Sequence, residues 1–175
     1  TAPEARAPFD GIMSQVPSAD SVTYEAATVG GVPGWWVRPE NSSSEAVLLY
    51  FHGGAFVVGS AATHRFLVSH IVKAANTAAF VAEYRLAPEH PFPAAYDDAW
   101  NAYAGLDQLG YKRIALVGDS AGGGLAFALA RRAVDQGLRP VAAVAISPWV
   151  DLSLQSPSMD NRAEAMNRSM LVLSV

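Results

Sequence analysis

Four short, largely apolar runs constrain this chain more than any other feature: residues 46–51 (AVLLYF), 78–84 (AAFVAEY), 113–117 (RIALV) and 141–146 (VAAVAI). Each is strand-length and bounded by turn residues, the pattern of strands buried on both faces of a parallel sheet. The segments between them carry helical periodicity. Residues 64–76 place Phe66, Leu67, Ile71 and Ala74 on one face, with Thr63 as a candidate cap. Residues 96–109 hold Asp97 and Asp98 in a first turn and Gly110 just past the end, and residues 121–136 stop at Gly137. Strands alternating with helices at this spacing predict an α/β fold, a mostly parallel sheet with helices on both faces.

Upstream, residues 22–28 and 34–38 read as two short strands joined at Gly30-Gly31, an antiparallel hairpin. Residues 41–44 read as a polar loop. Residues 1–20, with Pro3, Pro8 and Pro17, read as a short helix or irregular arm. Residues 153–175 are polar, then weakly helical, and complete no further β unit. The expected organisation is an arm or cap segment over 1–20, a core over 21–152, and the start of a cap segment over 153–175.

Composition narrows the partners. Sixteen acidic residues against 12 basic ones give a net charge of −4, which argues against a nucleic-acid surface and leaves small molecules. Without cysteine there is no thiolate nucleophile, disulfide or cysteine zinc site. No stretch approaches the roughly 18 uncharged apolar residues of a membrane helix, and the N-terminus lacks a basic start followed by an apolar run. The expectation is a soluble, cytoplasmic protein. Its first residue is Thr, so the numbered start is not expected to be the start of translation.

The sharpest chemical signal is Gly118-Asp119-Ser120-Ala121-Gly122, a G-x-S-x-G sequence between a strand and a helix. A serine there sits on a tight turn that pushes its hydroxyl out of the strand end, and the flanking glycines let neighbouring backbone pass. Ser120 is the candidate nucleophile. A nucleotide-binding turn fails on residues, because position 120 would have to be glycine for G-x-G-x-x-G and no G-K-[ST] follows. The second signal is His52-Gly53-Gly54-Ala55-Phe56, directly after the first buried run. Acyl transfer requires backbone N–H groups aimed at a developing oxyanion, and small residues let the main chain come close enough to supply them.

Residues 52–56, Tyr84 to Glu89 (YRLAPE) with His90-Pro91-Phe92-Pro93, Gly118 to Gly123 (GDSAGG) and Ser147-Pro148-Trp149 together resemble the hormone-sensitive-lipase-like (family IV) esterases of the α/β-hydrolase superfamily. The resemblance spans residues 46–151. It implies a carboxylic-ester hydrolase of short to medium acyl esters, working without cofactor or metal, with Ser120 carrying the acyl group. It also implies an oxyanion hole drawn from Gly53, Gly54, Ala55 and Ala121, in which Gly54, Ala55 and Ala121 donate and Gly53 shapes the loop. Ala55 departs from the family, which usually has a third glycine there; the N–H survives unless the site requires a positive φ. Arg85, Glu89, Asp97 and Asp98 are expected to pair beneath the loop, and Pro88 and Pro93 are candidate cis prolines on the same grounds. Phe56 and Trp149 line a substrate pocket or fill the core. Asp119 is expected to be a structural acceptor rather than a triad acid.

In the family's order an acid and then a histidine follow the serine, yet His52, His64, His70 and His90 all precede Ser120. A serine without a base is a poor nucleophile at neutral pH. The expectation is therefore the N-terminal portion of a longer hydrolase, inactive by itself, whose 141–146 strand is an apolar edge awaiting its own C-terminal half or another subunit, including a second copy. Two alternatives remain: a non-catalytic ligand-binding protein on the same fold, and a pseudoenzyme subunit.

Overall fold

The computed structural model describes residues 2–153 and 155. In chain order the elements are α1 (Ala2–Met13), β1 (Val22–Val29), β2 (Val32–Pro39), β3 (Ser43–Phe51), α2 (Ala61–Ala75), β4 (Thr77–Ala82), α3 (Ala94–Gln108), β5 (Arg113–Asp119), α4 (Ser120–Asp135) and β6 (Ala142–Ile146). The expected alternation is present, and residues 2–13 of the proline-containing arm are helical. Pro3 lies in the first turn of α1, where its missing N–H costs nothing, and Pro8 lies inside it.

One six-stranded sheet has the order β1-β2-β4-β3-β5-β6. β1 and β2 form the expected hairpin, closing at Gly30 and Gly31, whose φ values of 60° and 81° only glycine adopts without cost. β2 joins β4 antiparallel; the β4-β3-β5-β6 pairings are all parallel. Alternation along β3 sorts its side chains between two cores. Val47, Leu49 and Phe51 face a cluster with Leu106, Leu116, Leu125 and Leu129, which includes residues of α3 and α4. Tyr50 faces the other side with Val68, Val72 and Val117 under α2.

Several boundaries differ from those read in sequence. β3 reaches back through the polar 43–44 stretch because Ser43 finds a partner in Thr77, with an irregularity before Leu48. α2 is capped by Ser60, not Thr63: Ser60 Oγ accepts the Thr63 N–H at 3.1 Å, satisfying an orphan donor of the first turn. β4 stops at Ala82, and the next side chain, Glu83, turns to accept the Ala61 N–H at 2.7 Å. β6 pairs only with β5 among the described residues and leaves Val144 and Ile146 exposed, as is Val141 just before it. The tail expected over 153–175 lies outside the described residues apart from 153 and 155.

Candidate active site

β5 ends on Asp119 and α4 begins on Ser120, with no loop between them. The reversal is absorbed at Ser120, whose φ of 50° is left-handed for a residue with a side chain. Two glycines make the turn sterically feasible. A Cβ on Gly118 would lie 2.3 Å from the Gly122 carbonyl oxygen, and one on Gly122 would lie 2.1 Å from that of Phe51. The turn is thus pressed directly against the end of β3, where the second motif begins. Ala121, buried in the first turn of α4, has one of the N–H groups a helix start leaves without an intrahelical partner, at the positive end of the helix dipole.

Three consecutive residues of the facing loop have positive φ: Gly54 (118°), Ala55 (54°) and Phe56 (63°). The positive φ on which the Ala55 donor was made to depend is therefore present; the alanine adopts it at a cost of about 1–2 kcal/mol and keeps its N–H, so the expectation that a positive φ would remove the donor does not hold. Val57 and Val58 both donate to the Gly54 carbonyl at 2.9 Å, folding the loop back on itself. Gly53 holds the loop from behind. Its N–H donates to Asp119 Oδ1 at 2.9 Å, and a Cβ there would sit 2.2 Å from Asp119 Oδ2. The Gly53 amide is thus committed to a carboxylate, so Gly53 shapes the loop as expected, and Gly54, Ala55 and Ala121 stay the candidate donors.

Asp119 also accepts from Tyr50 Oη at 2.8 Å, so the residue before Ser120 joins β5, β3 and the loop. Beneath the loop, the His52 imidazole stacks on Tyr84 with centroids 4.3 Å apart, and Tyr84 Oη donates to the His52 carbonyl at 2.6 Å. His52 Nδ1 donates to the Gly53 carbonyl at 2.7 Å. Burial, reinforced by His64 nearby, pushes the His52 pKa down to about 3, so this ring is neutral at working pH. Burial lowers His64 as well and raises the Tyr84 phenol.

The four charged residues expected beneath the loop pair with separate elements. Arg85 and Asp98 bind each other through the Arg85 N–H and guanidinium, the shortest contact being 2.8 Å. Glu89 pairs with Arg6 of α1, and Asp97 with Arg132 of α4. The Ala87-Pro88 and Phe92-Pro93 bonds are cis. A cleft of about 420 Å³ opens between this connection and α4, lined mostly by apolar groups including Phe56, Phe92, Tyr96, Leu125 and Trp149. Ser120 is not in its lining, but two neighbouring lining residues, Phe56 and Trp149, connect it to the site. Phe56 follows the loop, and the Trp149 N–H donates to the Ser120 carbonyl at 2.9 Å.

A family model for the alpha/beta hydrolase fold matches residues 48–174. The chain belongs to that family. It falls with the hormone-sensitive-lipase-like esterases: a crystal structure of an esterase from the bacterial hormone-sensitive lipase family superposes with a TM-score of 0.91 at 36% identity, covering 99% of this chain and 61% of that one. An acetyl-hydrolase of Streptomyces hygroscopicus is 44% identical over 141 residues, 79% of this chain and 47% of that protein. An esterase of Acinetobacter venetianus is 35% identical over 162 residues, 90% of this chain and 53% of that protein. The chain thus spans about half the length of these curated relatives.

Against the α/β-hydrolase order, the four histidines of this chain are placed elsewhere. His52 and His64 are buried under the loop, His70 bonds the Pro17 carbonyl, and His90 lines the cleft. None is hydrogen-bonded to Ser120 among the described residues. No group of three or more metal-ligating side chains occurs among the described residues, and no described helix is long and apolar enough to cross a membrane. Sequence reasoning passed over Tyr50 and Arg6. Tyr50 had a signal, a hydroxyl inside an otherwise apolar strand that must find a partner. Arg6 had none, since its partners lie more than 50 residues away.

Proposed function

We propose that this chain carries the nucleophile half of a carboxylic-ester hydrolase. In this reading Ser120 Oγ attacks the ester carbonyl carbon and gives its proton to a general base, and the resulting oxyanion is met by the N–H groups of Gly54, Ala55 and Ala121. Collapse expels the alcohol with a proton and leaves an acyl group on Ser120, which water then releases. The single observation that carries the reading is the left-handed Ser120 at the β5–α4 junction, pressed against the strained glycine loop after β3. The names of the relatives, acetyl-hydrolase and esterase, support the same chemistry. The substrate class is an ester with a short to medium acyl chain, its apolar part meeting Phe56 and Trp149.

In this reading the general base is supplied from outside these 175 residues, because no histidine follows Ser120 and His52, its pKa pushed down to about 3, is a weak base that is buried and already bonded to the Gly53 carbonyl. Taken alone, the chain is expected to turn over esters only residually. A fluorophosphonate tests this reading: intact mass should show one adduct on Ser120, slow in the isolated chain and absent in Ser120→Ala. Lack of any adduct under prolonged excess reagent favours a ligand-binding role on the same fold. Rapid multiple turnover by the verified 175-residue chain overturns the external base.

A further inference from the structure

Three consecutive left-handed residues do not hold themselves in place, since each non-glycine among them lies about 1–2 kcal/mol above its preferred conformation. Such a segment persists only when its surroundings over-determine it. Gly54, Ala55 and Phe56 form that segment here. One support is the bond from the Gly53 N–H to Asp119, and a second is the Ala87 N–H donating to the Phe56 carbonyl at 2.9 Å. Both arise inside the sheet and its connections.

The third support comes from outside. Arg6, on α1, donates from Nε to the Val57 carbonyl at 2.9 Å and from Nη2 to the Ala87 carbonyl at 3.0 Å. One planar guanidinium therefore spans two backbone segments that already touch through the bond between Ala87 and Phe56. Glu89 fixes the plane of the fork, accepting from Nη1 at 3.0 Å and from Nη2 at 2.6 Å. This contact holds the Glu89 carboxyl below its ordinary pKa. Around the fork, Ala5 and Phe9 of α1 pack with Ala55 against Val57, Val58 and Ala87. The guanidinium is the only side chain that hydrogen-bonds both the loop and the connection among the described residues.

We infer that Arg6 is a positioning residue for the oxyanion donors, and that α1 is a clamp holding the 54–57 backbone in its reactive shape through this one side chain. The inference rests on the proposed role of Gly54 and Ala55. It assigns Arg6 no contact with substrate: the arginine acts by fixing the peptides that follow the donors. Geometry matters here because a donor displaced by a fraction of an ångström loses most of its value to the developing charge.

The test compares wild type, Arg6→Ala and Arg6→Lys in the full 175-residue chain by hydrogen exchange and by the rate of Ser120 modification with excess fluorophosphonate. Arg6→Ala should speed exchange at Val57 and Val58 and slow modification by on the order of tenfold, while β4 and β5 keep their protection. Lysine retains a cation for Glu89 and enough donors for one carbonyl, so Arg6→Lys should fall between the two, a rescue that loss of helix packing would not produce. If Arg6→Ala loses protection in β4 and β5 as well, Arg6→Lys decides the matter, because an effect confined to residues 54–58 is still required of it. Wild-type exchange and modification rates in a folded Arg6→Ala would overturn the inference. Should wild type show no Ser120 adduct at all, the hydrolase reading fails separately, and exchange at Val57 and Val58 alone judges whether Arg6 holds the loop.

Discussion

β3 and β6 flank β5 on opposite sides, pair with it in the same parallel sense and have similarly apolar sequences, yet their surroundings differ completely. Val47, Leu49, Tyr50 and Phe51 of β3 are each 0% exposed, whereas Val144 and Ile146 of β6 are 51% and 45% exposed. The difference lies in what covers each strand, not in the strand itself. β3 lies between α2 on one face and α3 with α4 on the other. At β6, Gly123 of α4 approaches Ala145, and no described strand pairs with its outer edge. Apolar composition marks a strand able to be buried; helices and neighbouring strands decide whether it is.

The largest effect is expected of Gly122→Val, which drives a side chain into the Phe51 and His52 carbonyls at the end of β3. The expected loss exceeds about 4 kcal/mol, or the folded state disappears, as read by urea denaturation. A wild-type midpoint would mean that the β5–α4 turn does not rest on β3. Next in size is Leu49→Ala, expected to cost about 2–5 kcal/mol by leaving a cavity in a fully buried layer.

The end of β3 also titrates. With a folded pKa of about 3 against the ordinary 6.5, His52 binds its proton less readily in the folded state than in the unfolded one. Its contribution to stability is therefore whole above pH 6.5 and is lost as pH falls toward 3, with a slope of about 1.4 kcal/mol per pH unit. His64 adds in the same direction, while the raised Glu83 carboxyl opposes it. Unfolding curves from pH 7 to 4.5 should show this slope, and His52→Gln should flatten it. An unchanged slope in that variant would assign the loss to other groups.

The smallest effect belongs to β6, where Val144→Ala should cost less than about 1 kcal/mol. A cost equal to that of Leu49→Ala would reveal that β6 is covered in solution, and sedimentation would then show whether a second copy covers it.

The strands, the hairpin and the nucleophile turn were legible because each rests on local pattern: apolar runs, paired glycines, a serine at a strand-to-helix junction. What escaped was set by distant partners. Gly53 was expected to shape the loop, but the partner that lets it do so, Asp119, lies 66 residues away and leaves no local trace. Ser60 displaced Thr63 as a cap because the helix begins at Ala61, three residues before the expected start at His64. The 43–44 stretch reads as loop by composition and becomes strand only because Thr77 lies alongside. Arg6 gave no hint, since a lone arginine on a proline-containing helix ordinarily reads as a solvated charge.

The position of Trp149 gives the molecule an optical handle. Its indole N–H is bonded to the Asp151 carbonyl, its ring lies 6.2 Å from Phe56, and it is the one tryptophan lining the cleft. Trp36 is packed against Phe80 and Tyr111, Trp35 carries the Arg65 guanidinium, and Trp100 carries that of Arg132. An occupant of the cleft exchanges water for hydrocarbon around a single fluorophore out of four, so the colour of the emitted light reports on that cleft while the other three supply a constant background.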